Sequence, residues 1–143
     1  MSIHNPFATK EYHDYIKTLP ESAQKWNLML DMDLEGRLES PYTELLRYSG
    51  EVYNGGHGQY FDNTAMITDL ETDVETMLPA LPPVLRDNLK RAYETHLAFD
   101  EENFDDEDGD PYEEFDGVFY ENEDLFNSVL QAYANTLTIP EDY

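Results

Sequence analysis

Residues 40–63 read SPYTELLRYSGEVYNGGHGQYFDN. Ser40-Pro41 has the form of a helix cap followed by proline in the first turn, where a missing N–H does no harm. Leu45, Leu46, Ser49, Val52 and Tyr53 then recur at intervals that place them on one helix face. The pattern breaks at Asn54-Gly55-Gly56-His57-Gly58 and resumes with Gln59-Tyr60-Phe61-Asp62-Asn63. Asn54 is suited to cap the second run, and Gly55 and Gly56 to supply close backbone packing or a positive φ. Gln59 and Asn63 are expected to tie this turn to a neighbouring helix. The competing reading of three glycines at a helix start is a phosphate cradle. The Lys-Ser/Thr of a P-loop is missing, no strand precedes the turn, and a chain this acidic repels nucleotides, so the turn reads as structural.

The helical period extends in both directions. Upstream, Tyr12, Tyr15, Ile16 and Leu19 share a face, and Thr18-Leu19-Pro20-Glu21 has the form of a capping box. The helix after it carries Ala23, Trp26, Met29 and Leu30 as its inward stripe and is expected to end near Gly36. Downstream, Thr68-Asp69-Leu70-Glu71 is a second capping box, heading a helix with Leu70, Val74, Met77 and Leu78 inward. Leu81-Pro82-Pro83 separates it from a helix through Leu85, Leu89, Ala92, Tyr93, His96 and Leu97. Asn122 can cap a last helix with Leu125, Phe126, Val129, Leu130, Tyr133 and Leu137 on its apolar face, which Ile139-Pro140 ends. No segment sustains period-two alternation. The expected fold is all-α, a single compact domain over residues 1–143 with about six or seven helices and no significant sheet.

Between the last two of these helices lies DEENFDDEDGDPYEEFDGVFYENED, residues 100–124. Residues 92–143 hold 17 acids and no Lys or Arg, whereas residues 1–91 hold 15 acids and 8 bases, so the parts carry −17 and −7 of the total −24. Aromatics are threaded through the acids at Phe104, Tyr112, Phe115, Phe119 and Tyr120, so the segment can bury apolar area and display its charge on a folded surface. The acids before Gly109-Asp110-Pro111 are expected to form a loop. Such a surface repels nucleic acid and anionic membrane and attracts cationic partners. There is no Cys, hence no disulfide and no thiolate metal site. MSIHNPFATKEYHDY lacks the apolar core of a signal peptide, so a cytoplasmic protein is expected.

Two of these stretches together resemble a known family. Asn54-Gly55-Gly56-x-x-Gln59-Tyr60-Phe61-x-Asn63 is similar to the signature N-G-G-x-x-Q-[FY]-[FY]-x-N of an uncharacterised bacterial domain family. The best-known member of that family is an acidic, dimeric, all-helical DNA-mimic protein. Phe115 through Ala134 resembles the family's closing pattern, an acidic run leading through an aromatic pair into a terminal amphipathic helix. The resemblance spans about residues 42–137, with N-terminal helices over 8–36 expected to pack on it. It implies an all-α fold, a homodimer, and binding to a DNA-binding protein. At 57–58 the family often carries an apolar or aromatic residue followed by an acidic one; His57-Gly58 is a departure expected to loosen the first turn.

Other chemistries find little support. Asp31-x-Asp33-x-Glu35-Gly36 fits half of a calcium loop, but the twelfth position is Tyr42 instead of the bidentate Glu. His4, His13, His57 and His96 are scattered, and there is no nucleophile elbow. No catalytic residue, metal or cofactor is expected, and the chain reads as a non-enzyme. The expected partner-binding residues are Asp100, Glu101, Glu102, Asp105, Asp106, Glu107, Asp108, Asp110, Glu113, Glu114 and Asp116, with Tyr112 and Phe115 as apolar anchors. DNA carries one negative charge per about 1.7 Å of axis and is gripped mainly through Lys and Arg, so rows of carboxylates at helical spacing can stand in for phosphates. The leading expectation is a DNA-mimic-like protein that occupies a transcription factor or nucleoid protein. The alternative is an immunity protein against a basic, nuclease-type toxin.

Overall fold

The computed structural model describes residues 9–99, 109–141 and 143. Among these the fold is all-α, as the sequence indicated, with seven α-helices and no strand. They are α1 (Lys10–Ile16), α2 (Glu21–Leu34), α3 (Tyr42–Ile67), α4 (Leu70–Met77), α5 (Pro83–Ala98), α6 (Glu113–Glu121) and α7 (Glu123–Ala134). A 3₁₀ turn over Leu78–Ala80 follows α4. No helix among the described residues is long and apolar enough to cross a membrane.

The chain groups into two compact units, one of residues up to Glu39 with Asn127–Tyr143, the other Ser40–Phe126. In the first, Ile16, Leu28 and Tyr143 form a buried cluster on which Tyr12, Leu19, Met32, Leu137 and Ile139 pack. The Tyr143 hydroxyl donates to the buried Asp31 carboxylate. Tyr15, expected to face inward, is exposed, and in α2 the buried positions are Leu28, Met29 and Asp31, so the inward face of that helix is rotated from the one expected. Thr18 does not cap α2; its hydroxyl donates back to the Tyr15 carbonyl and helps to close α1. The calcium-like pattern is the end of α2. Gly36 takes a positive φ of 69°, and the N–H groups of Gly36 and Arg37 bond back to the carbonyls of Asp33 and Met32, a glycine helix stop.

In the second unit, α3 supplies Leu45, Tyr48, Val52, Tyr60 and Phe61 to the core, α4 Val74 and Met77, α5 Leu85, Leu89 and Ala92, and α6 Phe115 and Phe119. Ser40 does not cap the α3 backbone; its hydroxyl donates to Glu44 at 2.6 Å. Asp69, one residue beyond the expected Thr68, caps α4 through the Thr72 N–H. Asn122 donates its side-chain amide to the Val118 carbonyl and closes α6, while its own carbonyl accepts the Phe126 N–H at the start of α7.

Burial dominates the rise in the pKa of three tyrosines. Tyr48 lies well above its ordinary value, chiefly through desolvation and then through Tyr60 and Asp116. Tyr60 is raised by desolvation and then by Asp73, and Tyr143 by desolvation and then by Asp31. Each folded value exceeds the unfolded value of about 10, so the neutral hydroxyls contribute fully below that pH. Above it the unfolded chain releases protons first, and stability falls by about 1.4 kcal/mol per pH unit for each tyrosine. A steep loss of urea resistance is therefore expected beyond about pH 10. Urea midpoints that stay level through about pH 11 would contradict this account.

Candidate functional site

The break in α3 is the joint from which the site is built. Gly55 (φ −160°, ψ 17°) and Gly56 (φ 80°, ψ −176°) leave the helical path between two helical runs. The N–H groups that open the second run need acceptors. Asn54 was expected to provide one, but the cap comes from α6. Asp116 Oδ1 accepts the backbone N–H of His57 at 2.8 Å and its ring Nδ1–H at 2.6 Å. The carboxylate can only accept, so Nδ1 carries the proton, and Nε2 takes the Tyr48 hydroxyl at 2.6 Å. Tyr48 and His57 are fully buried, and burial keeps the Tyr48 proton in place. His57 does not loosen the turn. It fastens α3 to α6.

The glycines are shaped by what lies against them. A Cβ on Gly56 would collide with Asp116 Oδ2, and one on Gly58 would stand 3.2 Å from the Tyr112 ring. Gln59 and Asn63 donate to one oxygen, Glu51 Oε2, at 2.9 and 2.8 Å. They tie the turn to the preceding half of the same broken helix, not to a separate one. Tyr60 and Phe61 fill the core beneath. The motif Asn54–Asn63 is thus a scaffold that holds α6 in place.

A family model described as DMP19-like protein matches residues 42–137, from the start of α3 into the segment after α7. The chain belongs to the DMP19-like family. The matched region contains the α3 joint, α5, α6 and α7. No curated protein and no solved structure gives a significant match.

Within the DMP19-like region the expected partner-binding residues fall into three groups. Asp100, Glu101, Glu102, Asp105, Asp106, Glu107 and Asp108 lie outside the described residues. Asp110, Glu113 and Glu114 are exposed; Asp110 also accepts the Tyr112 N–H at 2.9 Å, and Glu114 faces Arg91 at 3.5 Å in an exposed, weak pair. The third group turns inward. Asp116 is occupied by His57, while Tyr112 and Phe115 keep only 8% and 6% exposure. Tyr112 packs on Phe61, and Phe115 carries the Arg91 guanidinium over its ring while its carbonyl accepts from the buried Asn88. These two rings hold α6 to the core and leave little surface for a partner.

Two other rings of this region do reach the surface, Tyr53 and Tyr120, 46% and 45% exposed. By spacing Tyr53 shares one helix face with Leu45, Leu46, Ser49 and Val52, and Tyr120 is one of the aromatics threaded through the acidic stretch. The stripe Tyr112, Phe115, Phe119 carries the missing signal: once it faces inward, Glu113, Glu114, Tyr120 and Glu121 of α6 face outward. All four are exposed, as are Asp124 and Leu125 of α7. A groove of about 430 Å³ opens at the start of α6 between Asp62, His96, Phe99, Asp110 and Tyr112. Among the described residues no group of three His, Asp or Glu is arranged to hold a metal ion.

Proposed function

We propose that this chain is a binding protein that occupies the basic face of a DNA-binding protein, a transcription factor or nucleoid protein, and blocks its access to DNA. The observation that carries this reading is the outward row Glu113, Glu114, Glu121 and Asp124 on α6 and the start of α7, in a part of the chain without Lys or Arg. Glu114 and Glu121 stand seven positions, two turns, apart on α6, about 10 Å along one face, and can meet separate Lys and Arg side chains that contact phosphates. Rings directed inward fix the backbone that carries the row, so little backbone order has to be gained on binding. Membership of the DMP19-like family, and the resemblance to a DNA-mimic protein, favour the same partner class. The protein acts by occupancy, not catalysis.

The test is capture from the source cell's lysate at low salt, followed by elution with double-stranded DNA. One DNA-binding protein, retained stoichiometrically and released by DNA, is the expected result. Its capture should weaken steeply as salt is raised, because screening removes the steering between the two surfaces. A non-specific smear of basic proteins, or a partner that DNA does not displace, would end the mimic reading.

A further inference from the structure

The proposed surface has an aromatic centre with a chemistry of its own. Tyr53, at the end of the first run of α3, and Tyr120, near the end of α6, lie with ring centroids 6.1 Å apart and planes inclined at 40°. Both hydroxyls are tethered, Tyr53 to Glu123 at 3.2 Å and Tyr120 to the Val52 carbonyl at 3.1 Å. Phe119 braces both from beneath, at 5.3 Å from Tyr53 and 6.0 Å from Tyr120. The rings are therefore fixed before any ligand arrives, and each still exposes nearly half its surface. Glu121 and Asp124 are exposed on the same stretch of chain, and Glu123 reaches Tyr53 itself.

Pre-oriented rings with the Glu123 carboxylate against one of them, and Glu121 and Asp124 exposed beside it in the chain, suit a flat, weakly hydrated cation that can stack while it is hydrogen-bonded at its edge. An arginine guanidinium has those properties; the ammonium of lysine is compact and strongly hydrated. A second copy of this chain is the wrong occupant, because it would bring the same carboxylates to the same rim. We infer that the Tyr53–Tyr120 seam is an arginine-binding site, which reads an arginine side chain of the basic partner by stacking while the carboxylates hold its charge. This rests on the proposed function for its partner and goes beyond it in chemistry, since simple charge mimicry treats Arg and Lys alike.

The experiment titrates the full chain with oligo-arginine and oligo-lysine peptides of equal length at about 0.15 M salt, read by fluorescence anisotropy. Oligo-arginine should bind more tightly, by about two- to fivefold for each ring engaged. The double substitution Tyr53→Leu/Tyr120→Leu should bring the two peptides level, whereas Tyr53→Phe/Tyr120→Phe should keep the preference because the rings remain. Equal binding by the unaltered chain, or a folded Leu variant that still prefers arginine, would overturn the site. If the Leu variant does not fold, NMR of tyrosine-labelled unaltered chain decides. Shifts at Tyr53 and Tyr120 with oligo-arginine alone support the site, and their absence rejects it. A Leu variant whose mass by light scattering falls to half would assign the seam to self-association and also reject the proposal. Lysate capture stays an independent measurement: its failure beside an intact arginine preference removes the mimic reading and leaves the arginine site.

Discussion

Gly56→Ala should lower the stability of the protein by about 3–5 kcal/mol. Two costs combine. At φ 80° and ψ −176° the backbone lies in a region that is essentially glycine-only and costs other residues about 1–3 kcal/mol. The new Cβ would also fall on Asp116 Oδ2, whose carboxylate cannot retreat without releasing the His57 backbone N–H and ring Nδ1–H. Hydrogen bonds to a charged group contribute about 1.5–3 kcal/mol, and the donors left behind are buried. Gly36 supplies the control. Its φ of 69° is also positive, but a Cβ there meets nothing within 4 Å, so Gly36→Ala should cost only the backbone share of about 1–2 kcal/mol. Urea unfolding of the two variants separates conformation from contact. Equal losses would mean that Asp116 is not a working cap. Combining Gly56→Ala with Asp116→Ala should cost less than the two single losses together, because each removes the same pair of hydrogen bonds.

The second large effect concerns capture. Changing Glu113, Glu121 and Asp124 to lysine together moves the net charge from −24 to −18 and should weaken binding of a basic partner at least about a hundredfold. That factor is about 2.7 kcal/mol spread over three sites, within the range of like-charge juxtaposition at an interface. All three side chains are exposed, so helicity should survive. A parallel block, Asp105, Asp106, Glu107 and Asp108 to lysine, moves the charge to −16 and tests the stretch before α6. Loss of capture only in the first variant places the contact on α6 and α7, and loss only in the second places it before them. Full capture by both folded variants would remove the acidic surface from the binding role.

Much of the helical plan was legible because its stop signals are local. Gly36, Leu81-Pro82-Pro83 and the Asn54–Gly58 break each interrupt a period that is clear on both sides, and each coincides with an end or a break in a helix. Which face turns inward was harder to read. Tyr15 and Tyr53 fit an apolar stripe by spacing yet are exposed, whereas Tyr48, left off that stripe, is buried with its hydroxyl on His57. Tyrosine has an apolar body and a polar tip, so spacing alone does not settle its side. The carboxylates around Tyr112 and Phe115 suggest exposed anchors, but the spacing of these rings with Phe119 marks a buried stripe. The role of Asp116 had no local signal. Nothing near it in sequence shows that its partner lies at the head of another helix.

Asp116 and His57 are 59 positions apart. A ribosome that adds about 5–20 residues each second delivers the carboxylate about 3–12 s after the imidazole. A helix forms in about a microsecond or less, so the first run of α3 is complete long before then. The second run must wait with its leading N–H groups open to water, and Tyr48 and His57 with no carboxylate to close their chain. The joint between the two runs therefore sets only after α6 has emerged. A nascent chain stalled before residue 116 would present α3 as two loosely connected pieces, with the rings of Tyr60 and Phe61 exposed to chaperones.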